Sequence, residues 1–136
     1  MHPPDGINRP EVVAEITALL HGYEAALMAN DLERLGAFFW DSPLVTRYGI
    51  ADRQWGAQAL RHYRAATPVP GFTRSLHHPR ISTFGDDTAA VQVEFVRSDT
   101  ALRGFQTQIW RRFPAGWKIV AAHVSMIPWS EEETGT

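Results

Sequence analysis

Apolar residues recur at helical spacing early in the chain and at strand spacing late in it. Val12, Ile16, Leu19, Leu20, Tyr23 and Leu27 fall on one side of a 3.6-residue repeat. That spacing predicts a helix from Pro10 to Ala29 with Tyr23 on its buried face. Asn8 stands where a cap would, and Pro10 lies in the first turn, where a missing N–H costs nothing. Asn30 reads as the stop of this helix. Asp31 then caps a short second helix, Leu32 to Phe39, ended by Asp41, Ser42 and Pro43. Leu44 to Tyr48 reads as a short strand containing Arg47, and Gly49 to Gly56 as a turn or irregular hairpin. A third helix follows to Ala66, turning Ala59, Leu60, Tyr63 and Arg64 toward the protein. Thr67, Pro68, Pro70 and Gly71 break it.

From Thr73 onward the period is two. Thr73 to Phe84 predicts one long strand bent near Pro79, and Gly85, Asp86 and Asp87 a turn. Thr88 to Arg97 alternates Val91, Val93 and Phe95 against Gln92 and Glu94. A loop from Ser98 to Leu102 leads to a closing hairpin, Phe105 to Met126, folded at Pro114, Ala115 and Gly116. Strict alternation puts Trp117, Ile119, Ala121, His123 and Ser125 on one face of its last strand. From Trp117 to Val124 that strand is apolar on both faces apart from Lys118, so both are expected to be covered. A His and a Ser on a covered strand need hydrogen-bond partners or a cavity. Gln108 and Trp110 share a face of the preceding strand, opposite Thr107 and Arg111, and alternation alone leaves open which of the two is concave.

Two helices, a strand, a helix and four strands in a meander make an α+β domain. The expected shape is a cone-shaped curved antiparallel sheet packed on three helices (α-α-β-α-β-β-β-β), with a pocket between them. One domain over residues 10–129 is expected, with loose ends at 1–9 and 130–136. A chain of 136 residues, 44% hydrophobic and 21% charged, is long enough for one core. Its net charge of −2 argues against nucleic acid or an anionic membrane as partner. The absence of cysteine removes disulfides, thiolate catalysis and zinc–thiolate sites. No apolar run reads as a membrane span and the start has no secretion signal, so a cytoplasmic location is expected.

Metal binding is disfavoured: His77 and His78 are adjacent and point apart on a strand, and no other cluster has ligand spacing. No Gly-rich phosphate loop is present. His123 and Ser125 form no triad, lying two apart on one strand without an orienting acid. Four positions remain. Tyr23 either presents its hydroxyl to the pocket or is an ordinary amphipathic core residue. Arg47 either is solvated or faces inward and needs an anion, with no acid on its own strand to serve. His123 and Ser125 either line the pocket or are held by local partners.

The element order, with Trp117-Lys118-Ile119 and His123-Val124-Ser125 on the last strand, resembles the SnoaL-like group of the nuclear transport factor 2-like superfamily. The stretches FFWDSPLVTRYGI (Phe38 to Ile50) and WKIVAAHVSM (Trp117 to Met126), with Tyr23, resemble the AtzH and HpxZ family within it. That family's Tyr and Arg site residues fall on Tyr23 and Arg47. Its late strand matches at Gln108 and Trp110 and departs at Phe105 and Thr107. The resemblance implies a small cofactor-free enzyme of ureide catabolism, a decarboxylating amidohydrolase that acts on a 1,3-dicarboxyurea-like carboxylated urea. The alternative it leaves is a non-catalytic carboxylate-binding or accessory domain of oxalurate catabolism, beside an amidase-type enzyme. An isomerase or dehydratase of the same fold is expected to use an inward acid, which the pattern lacks. On the enzymatic reading Tyr23 and Arg47 are catalytic, and Trp40, Gln108, Trp110, His123 and Ser125 contact substrate. Val120, Val124 and Trp110, taken as outward-facing, suggest a symmetric homodimer through the sheet.

Overall fold

The computed structural model describes residues 6–129, so the expected loose ends at 1–5 and 130–136 lie outside the described residues. Residues 6–9 are tied to the sheet. Ile7 bridges Phe84, the Asn8 N–H donates to the Thr83 carbonyl at 3.0 Å, and Asn8 Oδ1 accepts from the Thr83 N–H at 2.7 Å. Asn8 therefore fastens the chain start to a strand and does not cap the helix, whose N-cap is Arg9.

The helices are α1 (Pro10–Ala29), α2 (Leu32–Phe38) and α3 (Ala57–Ala66). Asn30 ends α1 in the left-handed conformation (φ 52°), and Asp31 caps α2 by accepting from the Arg34 N–H at 3.2 Å. Both helix ends were legible because Asn tolerates αL and Asp accepts orphan helix N–H groups. By length and composition α1 is apolar enough to cross a membrane, although no span was expected. Here Val12, Ile16, Leu20, Tyr23 and Ala26 are buried in the core, the ordinary use of such a stripe.

Six strands follow as β1 (Thr46–Tyr48), β2 (Arg53–Trp55), β3 (Arg74–Phe84), β4 (Thr88–Arg97), β5 (Arg103–Phe113) and β6 (Gly116–Ile127). They form one sheet in the order β2-β1-β6-β5-β4-β3. The meander β3 to β6 is antiparallel, whereas β1 runs parallel to β6, so the sheet is mixed. The stretch expected to be an irregular turn contains β2, which pairs Gln54 with Arg47. β3 bends at a register break between His77 and Arg80, with His78 at φ 52°, as Pro79 led one to expect.

A second register break changes the picture. Ile109 pairs with Ala121 but Trp110 pairs with Ile119, leaving Val120 as the extra residue of a bulge. One inserted residue reverses the face of everything beyond it. Trp117 and Ile119 point inward before the bulge, and Ala122 is buried and Val124 lines a cavity after it. His123 and Ser125 therefore sit on the convex face with Phe105, Thr107 and Ile109. The outward apolar set expected from alternation is also corrected. Trp110 is fully buried and Val124 turns inward.

Candidate functional site

The inward faces of β4, β5 and β6 meet α1 and α3 in two zones. Near the β5–β6 turn the space is filled. Trp110 packs edge-on against Phe38 at 6.1 Å and donates its indole N–H to Gln108 Oε1 at 3.1 Å. Toward the other end a cavity of about 280 Å³ opens between helices and sheet. Tyr23 on α1, Arg47 on β1, Tyr63 and Arg64 on α3, and Gln106 on β5 line it. The loop from Thr67 to Phe72 forms part of its rim.

Two close approaches shape the back wall. Phe95 on β4 pairs with Gly104 on β5, and its ring lies where a Cβ on residue 104 would stand. Arg74 on β3 then lies over that ring, its guanidinium carbon 4.0 Å from the centroid.

The cavity is cationic. Arg47, Arg64, Arg74 and Arg97 line it, and no carboxylate does. Three of the four are held by acids from behind. Arg97 pairs with Asp99, at 2.6 and 2.9 Å. Arg74 Nε donates to Glu24 Oε2 at 2.7 Å, and its Nη2 donates to Gln106 Oε1 at 3.0 Å. Arg47 Nη1 donates to Asp52 Oδ1 at 2.7 Å and to Gln54 Oε1 at 2.9 Å. Arg47 has no acid on its own strand, as expected, yet it is paired. The acid comes from the β1–β2 turn, not from its own strand.

Asp52 is the hub of this corner. It also accepts from Gln54 Nε2 at 2.9 Å and from the Tyr63 hydroxyl at 3.3 Å. Burial opposes its ionisation, but the Gln54 amide, the Arg47 charge and hydrogen bond, and the Tyr63 hydroxyl outweigh that. The carboxyl is held below the usual Asp range. Asp52 thus stays charged at neutral pH and fixes Arg47 with a side of the guanidinium turned to the cavity.

Arg64 is different. It is buried at 9% exposure and its one hydrogen bond runs from Nη2 to the Tyr23 hydroxyl oxygen at 2.9 Å, while its buried Nε has no partner. Tyr23 is 4% exposed, and no described side chain accepts its hydroxyl proton. Its oxygen is therefore occupied by a cationic donor, and its proton is left for whatever enters the cavity.

A family model for AtzH-like proteins matches residues 5–130. The chain belongs to the AtzH-like family. Among solved structures, it is 47% identical to a cystatin-like fold protein from Burkholderia xenovorans, with a TM-score of 0.87, covering 91% of this chain and 98% of that one. It is 38% identical to a protein of unknown function from the DUF3225 family of Pectobacterium atrosepticum, with a TM-score of 0.88 and coverage of 93% and 99%. A nuclear transport factor 2-like superfamily protein from Salmonella enterica, 24% identical with a TM-score of 0.71 over 89% and 94% of the two chains, shares the fold. No curated protein matches the chain.

In this AtzH-like chain the residues singled out from sequence fall into three groups. Tyr23 and Arg47 both line the cavity. Gln108 and Trp110 lie on the concave face but are sealed in the core at 1% and 0% exposure, out of reach of a ligand. The residue of that face that reaches the cavity is Gln106. Trp40, His123 and Ser125 lie elsewhere. Trp40 stacks on Phe113 at 5.4 Å in a groove beside the β5–β6 turn. His123 is exposed on the convex face with its ring 5.8 Å from Tyr48, and Ser125 follows it there because of the bulge.

Asp52, Gln54, Arg74 and Gln106 were missed, and Tyr63 and Arg64 were placed inward without a role. For Arg64 the signal was its spacing from Leu60, which puts a charge on the buried side of α3 with Ala57 and Leu60. Among the described residues no group of three or more His, Asp or Glu has metal-site geometry.

Proposed function

We propose that this AtzH-like protein is a decarboxylating enzyme acting on a small carboxylated urea of the 1,3-dicarboxyurea type. The observation that carries the reading is the Arg64–Tyr23 hydrogen bond. A phenol whose oxygen is held by a guanidinium and whose proton has no protein acceptor is a proton donor aimed at a bound ligand. The lining charges suit the rest of such a molecule. A cavity whose wall carries four arginines, one of them without an acid partner, and no carboxylate favours an anion, and about 280 Å³ suits a small one.

In this reading the substrate is a urea bearing a carboxylate on each nitrogen. Arg47, immobilised by Asp52 and Gln54, holds one carboxylate. Tyr23 delivers its proton to a carbamate nitrogen. The bond between that nitrogen and the carboxylate carbon breaks, its electron pair staying on nitrogen with the incoming proton. Carbon dioxide leaves, and allophanate remains. Arg64 is placed to hold the charge on the phenol oxygen until solvent returns the proton. The step calls on neither a covalent nucleophile nor a metal. Removing the proton should slow chemistry more than binding. Tyr23→Phe is expected to lower kcat by about 100-fold or more with a modest change in KM. A Tyr23→Phe enzyme with unchanged kcat on 1,3-dicarboxyurea would remove this role.

We also propose that the chain forms a symmetric dimer through the convex sheet face. That face carries half-buried Phe105 and Ile109, with Tyr48 exposed beside them.

A further inference from the structure

We infer that Arg64, rather than Arg47, supplies the net positive charge that anchors the substrate, and that with Arg47 it selects for a ligand carrying two acid groups. The proposal rests on the reading above for the substrate's identity, but its own basis is how the charges are partnered.

A buried guanidinium is costly unless an anion accompanies it. Arg47, Arg74 and Arg97 each have that anion in Asp52, Glu24 and Asp99, at 2.7, 2.7 and 2.6 Å. To an incoming ligand each presents a nearly neutral pair. Arg64 has no carboxylate within ion-pair distance among the described residues, only the neutral Tyr23 hydroxyl. Its charge has no acid partner and its buried Nε is unmet. A ligand carboxylate is the group that satisfies both.

The side of Arg64 that takes the anion also follows. Arg64 forms part of two walls, that of the cationic cavity and that of an apolar groove between α2 and α3. In the groove the charge of Arg61 is set against the carboxylate of Glu33 on an otherwise apolar wall, whereas the cavity wall carries three further arginines and no carboxylate. Nη2 is directed to the cavity side by its bond to Tyr23.

Tyr63 relates the two anchors. The guanidinium carbons of Arg47 and Arg64 lie 5.0 and 5.8 Å from the centroid of its ring. Two cations set against one aromatic ring suit a short molecule with an acid at each end. A single carboxylate engages one of them. On a dicarboxylate Arg64 supplies most of the attraction, and Arg47, already neutralised, adds a weaker, directional hold on the second carboxylate.

The test is binding of an unreactive probe, so it does not depend on turnover. Malonate, acetate and uncharged malonamide are titrated by calorimetry against the wild-type protein and against Arg64→Gln, Arg64→Lys and Arg47→Gln. Wild type is expected to bind malonate at least about 10-fold more tightly than acetate, and malonamide not at all. Arg64→Gln is expected to lose about 30-fold or more of malonate affinity, while Arg64→Lys, which keeps the charge, recovers most of it and Arg47→Gln loses less. Thermal unfolding of each variant separates lost affinity from lost folding, and recovery in Arg64→Lys confirms a charge effect. Equal malonate affinity in wild type and Arg64→Gln, a larger loss in Arg47→Gln, or no preference for malonate over acetate overturns the proposal. Malonate binding that depends on Arg64, in a protein that does not turn over 1,3-dicarboxyurea, would leave this inference standing and remove the enzymatic reading.

Discussion

Adding one methyl group at Gly104 should destabilise the protein and distort the cavity wall together. A Cβ at this position would lie inside 3.0 Å of Cζ, Cε1 and Cε2 of Phe95. The ring has little room to retreat, being 1% exposed, with the Arg74 guanidinium carbon 4.0 Å from its centroid. Overpacking of this kind costs about 1–3 kcal/mol, and the absence of an escape path argues for the upper end. Replacing glycine in a strand returns roughly 0.5–1 kcal/mol through the unfolded chain. The net loss for Gly104→Ala is therefore about 2 kcal/mol, which for a domain of this size lowers Tm by about 8 °C. The assay is thermal unfolding followed by near-UV circular dichroism, with a double-mutant cycle against Phe95→Leu. Leucine vacates the space the methyl needs, so the double variant should be more stable than the two single losses imply, by about 1 kcal/mol. Because Arg74 lies on the same ring, malonate affinity should fall in Gly104→Ala as well. An unchanged Tm, or strictly additive losses, would refute the reasoning.

The remaining expectations concern charge, face and assembly. Asp52 has a lower pKa folded than unfolded, so it adds stability above the ordinary Asp pKa, and that stability is lost as the pH falls through its folded value. The stability gap between wild type and Asp52→Asn in urea should thus be full at pH 7 and close below about pH 4; a gap independent of pH contradicts the Arg47–Asp52 geometry. Arg47→Ala should chiefly raise KM, and equal kcat and KM in Tyr23→Phe, Arg47→Ala and wild type would dispose of the mechanism. His123→Ala and Ser125→Ala should leave both constants where they are, since the bulge turns these side chains away from the cavity; a collapse of kcat in either would mean the cavity is not the site. Light scattering at micromolar concentration should report twice the chain mass, and a monodisperse monomer refutes the proposed dimer.

Much of the fold could be read from periodicity because α1 and the meander strands each bury one face. Tyr23 was found for that reason, standing in register with Ile16 and Leu20. The misreadings have physical causes. The strand β2 was hidden because its inward residue, Gln54, is polar and buried only by virtue of its bonds to Arg47 and Asp52. The bulge at Val120 was invisible because Ile119, Val120, Ala121 and Ala122 are all apolar, so nothing marks a change of phase. That one residue moved His123 and Ser125 to the opposite face. Alternation left open whether the face of Gln108 and Trp110 is the concave one, and it says nothing of depth; they lie on the concave face but sealed in the core. Of the ion pairs that distinguish Arg64 from its neighbours, Arg47–Asp52 and Arg97–Asp99 are close in the chain and Arg74–Glu24 is not, and which arginine is left without an acid shows only in the folded arrangement.

The most direct test of the account is release of carbon dioxide and allophanate from freshly generated 1,3-dicarboxyurea, by the wild-type protein and by Tyr23→Phe and Arg47→Ala. Turnover by wild type is expected, with a fall in kcat in Tyr23→Phe and a rise in KM in Arg47→Ala. A folded wild-type protein that leaves 1,3-dicarboxyurea to decay at its uncatalysed rate would contradict it, and would point to a binding role or another ureido acid.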